Sequence, residues 1–170
     1  MIARDPFVGK MKSPQAAREL KLFIDGISAG CAEFAGKCGA RVCLIPFHQS
    51  ADRVFTEQTA SKIPGAKIES WTTLDQLLDI FSSLDIVLTA RFHGLVLASN
   101  AGIPHAAVAV DPKIEYFQQN YRYSGISRVL KPEECTAERV AAVLTETWQN
   151  QKLFADRAAD QTRYETAAAR

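Results

Sequence analysis

Short apolar runs alternate with longer segments of helical periodicity along this chain. The runs at residues 41–46, 85–90 and 105–110 carry few polar side chains, as strands buried on both faces of a sheet do. Strands that alternate with helices form a parallel sheet, because each helix carries the chain back to the edge where the previous strand began. The sequence therefore predicts an α/β domain with a doubly wound, mostly parallel sheet of about five or six strands.

One domain accounts for the whole chain, since no repeat, linker or low-complexity tract interrupts residues 1–170. Residues 1–3 form a candidate first strand. At the other end, residues 136–170 are predicted to form one long closing helix. The alanine-rich, charged end of that helix is expected to fray if it has no surface to pack against.

A long helix is predicted near the start of the chain. Ser13 is its N-cap, with a proline in the first turn, and Gly39 ends it. Gly26 and Gly30 lie inside this segment, and the sequence allows an interruption at either of them.

Charge and composition exclude several classes of function. The net charge is +1, so nothing draws the whole protein to nucleic acid or to an anionic membrane. No apolar run approaches the roughly 18 residues of a membrane span, and the first residues do not resemble a signal peptide. The four cysteines have no CxxC spacing, so no bound metal is expected. No cofactor is expected either. We predict a cytoplasmic protein.

Basic and protonatable residues recur where the predicted strands end. Ligands of open parallel sheets bind beyond the carboxyl ends of the strands. The candidates at these ends are Arg4, His48, Arg91, His93 and Lys113. Because the chain as a whole is nearly neutral, this clustering predicts a local anion-binding site.

The segment around Arg91 is the most informative of these strand ends. A helix is predicted to begin just after His93, so its unpaired N–H groups face the same edge. Arg91 offers a planar fork for a carboxylate or phosphate, and His93 can carry a proton near neutral pH. Gly94 lets the backbone approach a ligand closely.

Structural roles for the same residues remain open. Arg91 could instead pair with Asp111 or cap a neighbouring helix, and His93 could serve as a helix N-cap. His48 could form a hydrogen bond within its loop. His105, which begins an apolar run, is expected to be structural, and Phe92 is expected to lie in the core.

The segment from Asp85 to Pro104, followed by Val110-Asp111-Pro112-Lys113, resembles the polysaccharide pyruvyl transferase family. Members of that family have a strand ending in Arg-x-His, then an apolar helix, Ala-Gly-x-Pro and a strand ending in Asp-Pro-Lys. The resemblance extends over residues 4–121 and includes Asp52. Phe92 stands where the family more often has leucine.

The resemblance implies a Rossmann-like domain similar to the C-terminal lobe of a two-lobed glycosyltransferase-B fold. It also implies transfer of the pyruvyl group of phosphoenolpyruvate to a sugar of a cell-surface polysaccharide or exopolysaccharide, as a ketal. Arg91 and His93 carry over by motif, with His93 as the candidate catalytic acid, and Arg4 corresponds less closely. The acceptor sugar is expected on an N-terminal lobe outside these residues, so turnover by this chain alone is not expected.

Two other functions are compatible with the sequence. One is the donor-binding lobe of a nucleotide-sugar glycosyltransferase, whose retaining members often carry Glu-x7-Glu at this turn. With Gly94 in register, Arg91 and Ser99 occupy the two glutamate positions, which favours an anion over a ribose. The other is a non-catalytic fragment that binds a partner lobe. A homo-oligomer is also compatible with the sequence.

Overall fold

A computed structural model describes residues 13–168 of the chain, with side chains as far as residue 160. The strands of this part are β1 Cys43–Leu44, β2 Lys67–Ile68, β3 Val87–Thr89, β4 His105–Val108 and β5 Arg128–Leu130. The helices are α1 Pro14–Cys38, α2 Arg53–Ala60, α3 Leu74–Ser82, α4 Phe92–Asn100, α5 Pro112–Asn120, α6 Ala137–Gln149 and α7 Gln151–Ala168. A 3₁₀ turn, Pro132–Glu134, precedes α6. The candidate strand at residues 1–3 lies outside the described residues.

All strand pairs in the described part of the chain are parallel. β1 pairs with β2, and β4 lies between β3 and β5. The α/β class with parallel strands is therefore confirmed. The five strands belong to two sheets rather than to the one sheet that was predicted. The likeness to one lobe of a glycosyltransferase-B fold stays a prediction.

Helices cover both faces of the three-stranded sheet. Successive strand residues point to opposite sides, so each strand contributes side chains to both helical layers. Leu88 and Ala106 lie in a core that also contains side chains of α1 and α6. Val87 packs on the other face against side chains of α3 and α4. Ala107 lies on that same face, between Leu95 of α4 and Ile114 of α5. The result is a layered arrangement in which the three-stranded sheet lies between helices.

Helix α1 is continuous, so neither glycine interrupts it. A Cβ placed on Gly26 would lie 1.7 Å from the carbonyl oxygen of Cys135. A Cβ on Gly30 would lie 2.5 Å from Cβ of Val140 in α6. The two glycines therefore allow α6 and the turn before it to pack directly on the α1 backbone.

The predicted closing helix over residues 136–170 is instead two helices that meet at Asn150. The N–H of Asn150 ends α6 by donating to Glu146 O (3.0 Å), and its carbonyl accepts from the N–H of Leu153 (2.8 Å) at the start of α7. The break turns the chain so that Phe154 is fully buried. The ring of Phe154 lies 5.0 Å from that of His105, so α7 is anchored on the domain at its first turn.

Candidate functional site

The end of β3 is fixed by a threonine that sequence reasoning did not single out. Thr89 is fully buried, and its Oγ1 donates to the carbonyl oxygen of Arg91 (3.0 Å) while accepting from the N–H of Arg91 (3.0 Å). These two bonds close a tight turn after the strand. Arg91 then becomes the extended N-cap residue of α4, with φ −114° and ψ 128°.

Arg91 is paired with Asp52, the residue that precedes α2. Its Nε donates to Oδ2 of Asp52 (3.1 Å), and its Nη2 donates to Oδ1. The Asp52 side chain is 1% exposed, whereas that of Arg91 is 20% exposed. The alternative pairing of Arg91 with Asp111 is therefore wrong. In the sequence Asp52 stands out only as part of the family pattern, and no local signal marks it as the partner of Arg91.

Asp52 also holds the loop that follows β1. Its Oδ2 accepts from the backbone N–H groups of Phe47 (3.1 Å) and His48 (2.9 Å). The same carboxylate therefore connects the β1–α2 loop to the β3–α4 turn, although Asp52 and Arg91 are 39 residues apart. His48 and Arg91 thus lie at one edge of the molecule, where the backbone N–H of His48 and the side chain of Arg91 both bind Asp52.

The ring of His48 is exposed and takes part in its own loop. Its Nδ1 accepts from the N–H of Ala51 (3.2 Å) and lies 3.2 Å from Oγ of Ser50. The loop hydrogen bond considered from the sequence is thus present. It leaves Nε2 as the ring nitrogen that a ligand could reach.

His93 lies in the first turn of α4, and its side chain is exposed. It is not the N-cap, since Arg91 occupies that position. Its ring contacts that of Phe92, with centroids 5.9 Å apart, and it has no hydrogen bond to any described residue. Among the described residues no side chain caps the first turn of α4, so its N–H groups have no side-chain acceptor there.

Lys113 lies at the start of the neighbouring helix, α5. Asp111 caps that helix by accepting from the N–H of Lys113 (3.0 Å), which gives this aspartate a local structural role. The Lys113 side chain is exposed, and among residues 13–160 it has no ion-pair partner. Phe92, which is half-buried, packs edge-on against Phe117 (5.6 Å) and so joins α4 to α5.

His105 is structural, as expected. It is fully buried, its Nδ1 lies 2.7 Å from the carbonyl oxygen of Ile103, and its Nε2 lies 3.2 Å from Oγ of Ser99. Burial lowers the pKa of His105 to about 4. A neutral ring that donates from Nδ1 and accepts at Nε2 satisfies both contacts. Ser99, also fully buried, therefore faces His105 and not a ligand.

The structure brings Arg91, His93 and the His48 loop to one edge, with Lys113 at the start of the adjacent helix. Arg4 lies outside the described residues. Within the part of the chain whose side chains are described, no group of three or more His, Cys, Asp or Glu residues could hold a metal ion. No helix of the described part is long and apolar enough to cross a membrane.

The fold is that of an α/β domain with parallel strands. At one edge it places an arginine held by a carboxylate, an exposed histidine and the start of a helix, groups whose chemistry can hold a small anion. The family model for polysaccharide pyruvyl transferase matches residues 16–112, more than half of the chain. The chain therefore belongs to the polysaccharide pyruvyl transferase family, a family of transferases, which confirms the resemblance. The matched range includes Asp52, Arg91 and His93 and ends one residue before Lys113. No curated protein and no solved structure matches the chain.

Proposed function

We propose that this chain binds phosphoenolpyruvate at the edge around Arg91, as the donor-binding part of a polysaccharide pyruvyl transferase. One observation carries the proposal. Asp52 holds the Nε and Nη2 side of the Arg91 guanidinium, which leaves the side formed by Nη1 and the second N–H of Nη2 for a ligand. Arg91 is also the N-cap residue of α4, so a ligand held by its guanidinium would lie near the start of that helix.

The proposed reaction joins the central carbon of phosphoenolpyruvate to two hydroxyl oxygens of one sugar. The methylene carbon of phosphoenolpyruvate gains the proton of one hydroxyl and becomes a methyl group. The bond from the central carbon to the phosphate oxygen breaks. The products are a pyruvate ketal and inorganic phosphate, which carries away the other hydroxyl proton. We propose a sugar of a cell-surface polysaccharide or exopolysaccharide as the acceptor.

Each candidate residue has a role in this reaction. Arg91 binds the carboxylate or the phosphate of the donor with two parallel hydrogen bonds, which its planar fork permits. His93 contacts the leaving phosphate or acts as the general acid. Lys113 and His48 contribute further contacts to the anion at the same edge, and Arg4 is retained from the family resemblance.

A nucleotide-sugar donor fits this site less well. Glycosyltransferases with a glutamate pair grip ribose hydroxyls through acidic side chains, whereas Arg91 is a cation at the corresponding position. Ser99, at the second position, is fully buried and lies within hydrogen-bond distance of His105. Neither residue therefore supplies the acceptor oxygens that a glutamate offers to ribose hydroxyls.

Calorimetric titration of the chain with phosphoenolpyruvate and with UDP-sugars tests the proposal. We expect phosphoenolpyruvate to bind, and Arg91→Ala to weaken its binding by about tenfold or more, since a charge-assisted contact is lost. His93→Gln keeps a hydrogen-bond donor but cannot take up a proton, and it should weaken phosphoenolpyruvate binding less than Arg91→Ala does.

Arg53→Ala is the matched control for the arginine variant. Arg53 follows Asp52 directly, yet its side chain is 73% exposed and pairs with Glu57 on the surface of α2. This variant should bind phosphoenolpyruvate as the wild type does. Tighter binding of a UDP-sugar than of phosphoenolpyruvate would contradict the proposed donor.

A further inference from the structure

We propose that Asp52 is a positioning residue of the donor site, which holds Arg91 by one side so that the opposite side grips the anion. This inference rests on the proposed function and adds a residue to it. Asp52 itself is buried and need not touch the donor. It acts through the guanidinium of Arg91.

The N–H groups of the Arg91 guanidinium are numerous enough to bind Asp52 and an anion at the same time. An arginine side chain carries five N–H groups in a fixed plane. Two of them, on Nε and Nη2, are directed at the Asp52 oxygens, and three remain. Since Asp52 is almost fully buried and Arg91 is 20% exposed, the accessible part of this pair belongs to the arginine.

The carboxylate of Asp52 is itself held by backbone hydrogen bonds, which fix its position. Its Oδ2 accepts from the N–H groups of Phe47 and His48 as well as from Nε of Arg91. Moving Arg91 away would leave a buried carboxylate without its counter-charge, which is costly. Arg91 is therefore fixed before a donor arrives, and little side-chain entropy remains to be lost on binding.

A double-mutant cycle on phosphoenolpyruvate affinity tests whether Asp52 acts through Arg91. Asp52→Asn keeps the shape of the side chain but removes its charge and one acceptor oxygen. We expect Asp52→Asn to weaken binding about tenfold in the wild type. In the Arg91→Ala background the same change should alter affinity less than about twofold, because the group that it positions is gone.

A purely structural role for Asp52 would give a different pattern. Loss of folded protein lowers the number of binding sites in the titration and leaves the affinity of the remaining sites unchanged. Thermal unfolding of each variant supplies the folded fraction. Glu57→Gln, which breaks a surface pair of α2, is the control and should leave affinity unchanged.

Nitrogen-15 NMR of the arginine side chains provides a readout that needs no variant at Asp52. We expect the Nε–H of Arg91 to exchange slowly in the free protein and to remain protected after phosphoenolpyruvate is added, while the Nη resonances shift. Exposure of Nε–H on binding would mean that Arg91 leaves Asp52, which would overturn the inference.

The two proposals fail in different ways. If the wild type does not bind phosphoenolpyruvate at all, the proposed function is wrong and the donor role of Asp52 is lost with it. If phosphoenolpyruvate binds and Asp52→Asn weakens it equally with and without Arg91, the proposed function stands and only the positioning role is wrong.

Discussion

Replacing Gly30 with alanine tests the direct packing of α1 on α6. Alanine normally stabilises a helix relative to glycine, by about 1 kcal/mol at an interior position. At Gly30, however, the added methyl group would lie 2.5 Å from Cβ of Val140 and 2.7 Å from the carbonyl oxygen of Ala137. Both contacts are far shorter than carbon and oxygen atoms tolerate, so one of the two helices must move.

The steric cost and the gain in helix propensity together give the sign and size of the expected change in the free energy of unfolding. Overpacking of a core contact costs about 1–3 kcal/mol, and contacts below 3 Å with a fully buried Val140 place Gly30→Ala at the upper end. After the gain in helix propensity, we expect a net loss of about 2 kcal/mol. That corresponds to a fall in Tm of about 4–8 °C for a chain of this size.

Gly36 provides the matched control on the same helix. Outside the backbone of α1 itself, no described atom lies within 4 Å of a Cβ built on Gly36, so Gly36→Ala should stabilise the protein by about 0.5–1 kcal/mol. Gly26→Ala should be the most damaging of the three, because its Cβ would overlap the backbone oxygen of Cys135. Urea unfolding followed by circular dichroism gives the order. If Gly30→Ala is as stable as Gly36→Ala, the close approach of α1 and α6 is wrong.

Two further predictions concern the cluster that anchors α7. The pKa of His105 is about 4 in the folded protein, against 6.5 for an ordinary histidine. Between these two pH values the histidine is protonated in the unfolded chain but neutral in the folded protein. The contribution of His105 to the free energy of unfolding should therefore be complete above pH 6.5 and fall by about 3 kcal/mol as the pH drops to 4. In His105→Gln the urea midpoint should change less over this pH range. Phe154→Ala should cost about 3 kcal/mol in urea unfolding, whereas Leu153→Ala, at a residue 48% exposed, should cost less than about 1 kcal/mol; equal losses would exclude Phe154 as the anchor.

The strand-end rule explains how much of the site could be predicted from the sequence. Arg91 and His93 follow a run of buried residues, and parallel strands gather their carboxyl ends at one edge. Only this local pattern was needed to place both residues at the edge of a sheet. The structural assignment of His105 succeeded for a similar reason, since an apolar run at its first residue implies burial.

The pairing of Arg91 with Asp52 depends on tertiary contacts that no local pattern encodes. The two residues are 39 positions apart, and Asp111 lies closer to Arg91 in sequence. Which aspartate reaches the arginine is decided by the order of the strands and by the path of the β1–α2 loop. Periodicity and capping rules specify neither.

The question that the sequence left open in α1 and the wrong prediction of a single closing helix have a related cause. A glycine within a helical pattern signals either an interruption or a close packing partner, and only the position of α6 decides between them for Gly26 and Gly30. The break at Asn150 likewise depends on where Phe154 finds a surface to pack on. In both places tertiary packing, rather than local propensity, sets the outcome.

The Arg91–Asp52 pair also changes how the candidate site would attract an anion. The buried carboxylate offsets the charge of Arg91, so the pair adds little net positive charge at the edge. Attraction must then come from the uncapped start of α4 and from Lys113, which is exposed. Arg91 instead orients the ligand, because the free side of its guanidinium is held in one orientation. That side offers two parallel N–H groups, which suit a planar carboxylate or a phosphate. In the proposed donor site, the orientation of the Arg91 guanidinium would therefore contribute more to ligand selection than the net charge of the Arg91–Asp52 pair.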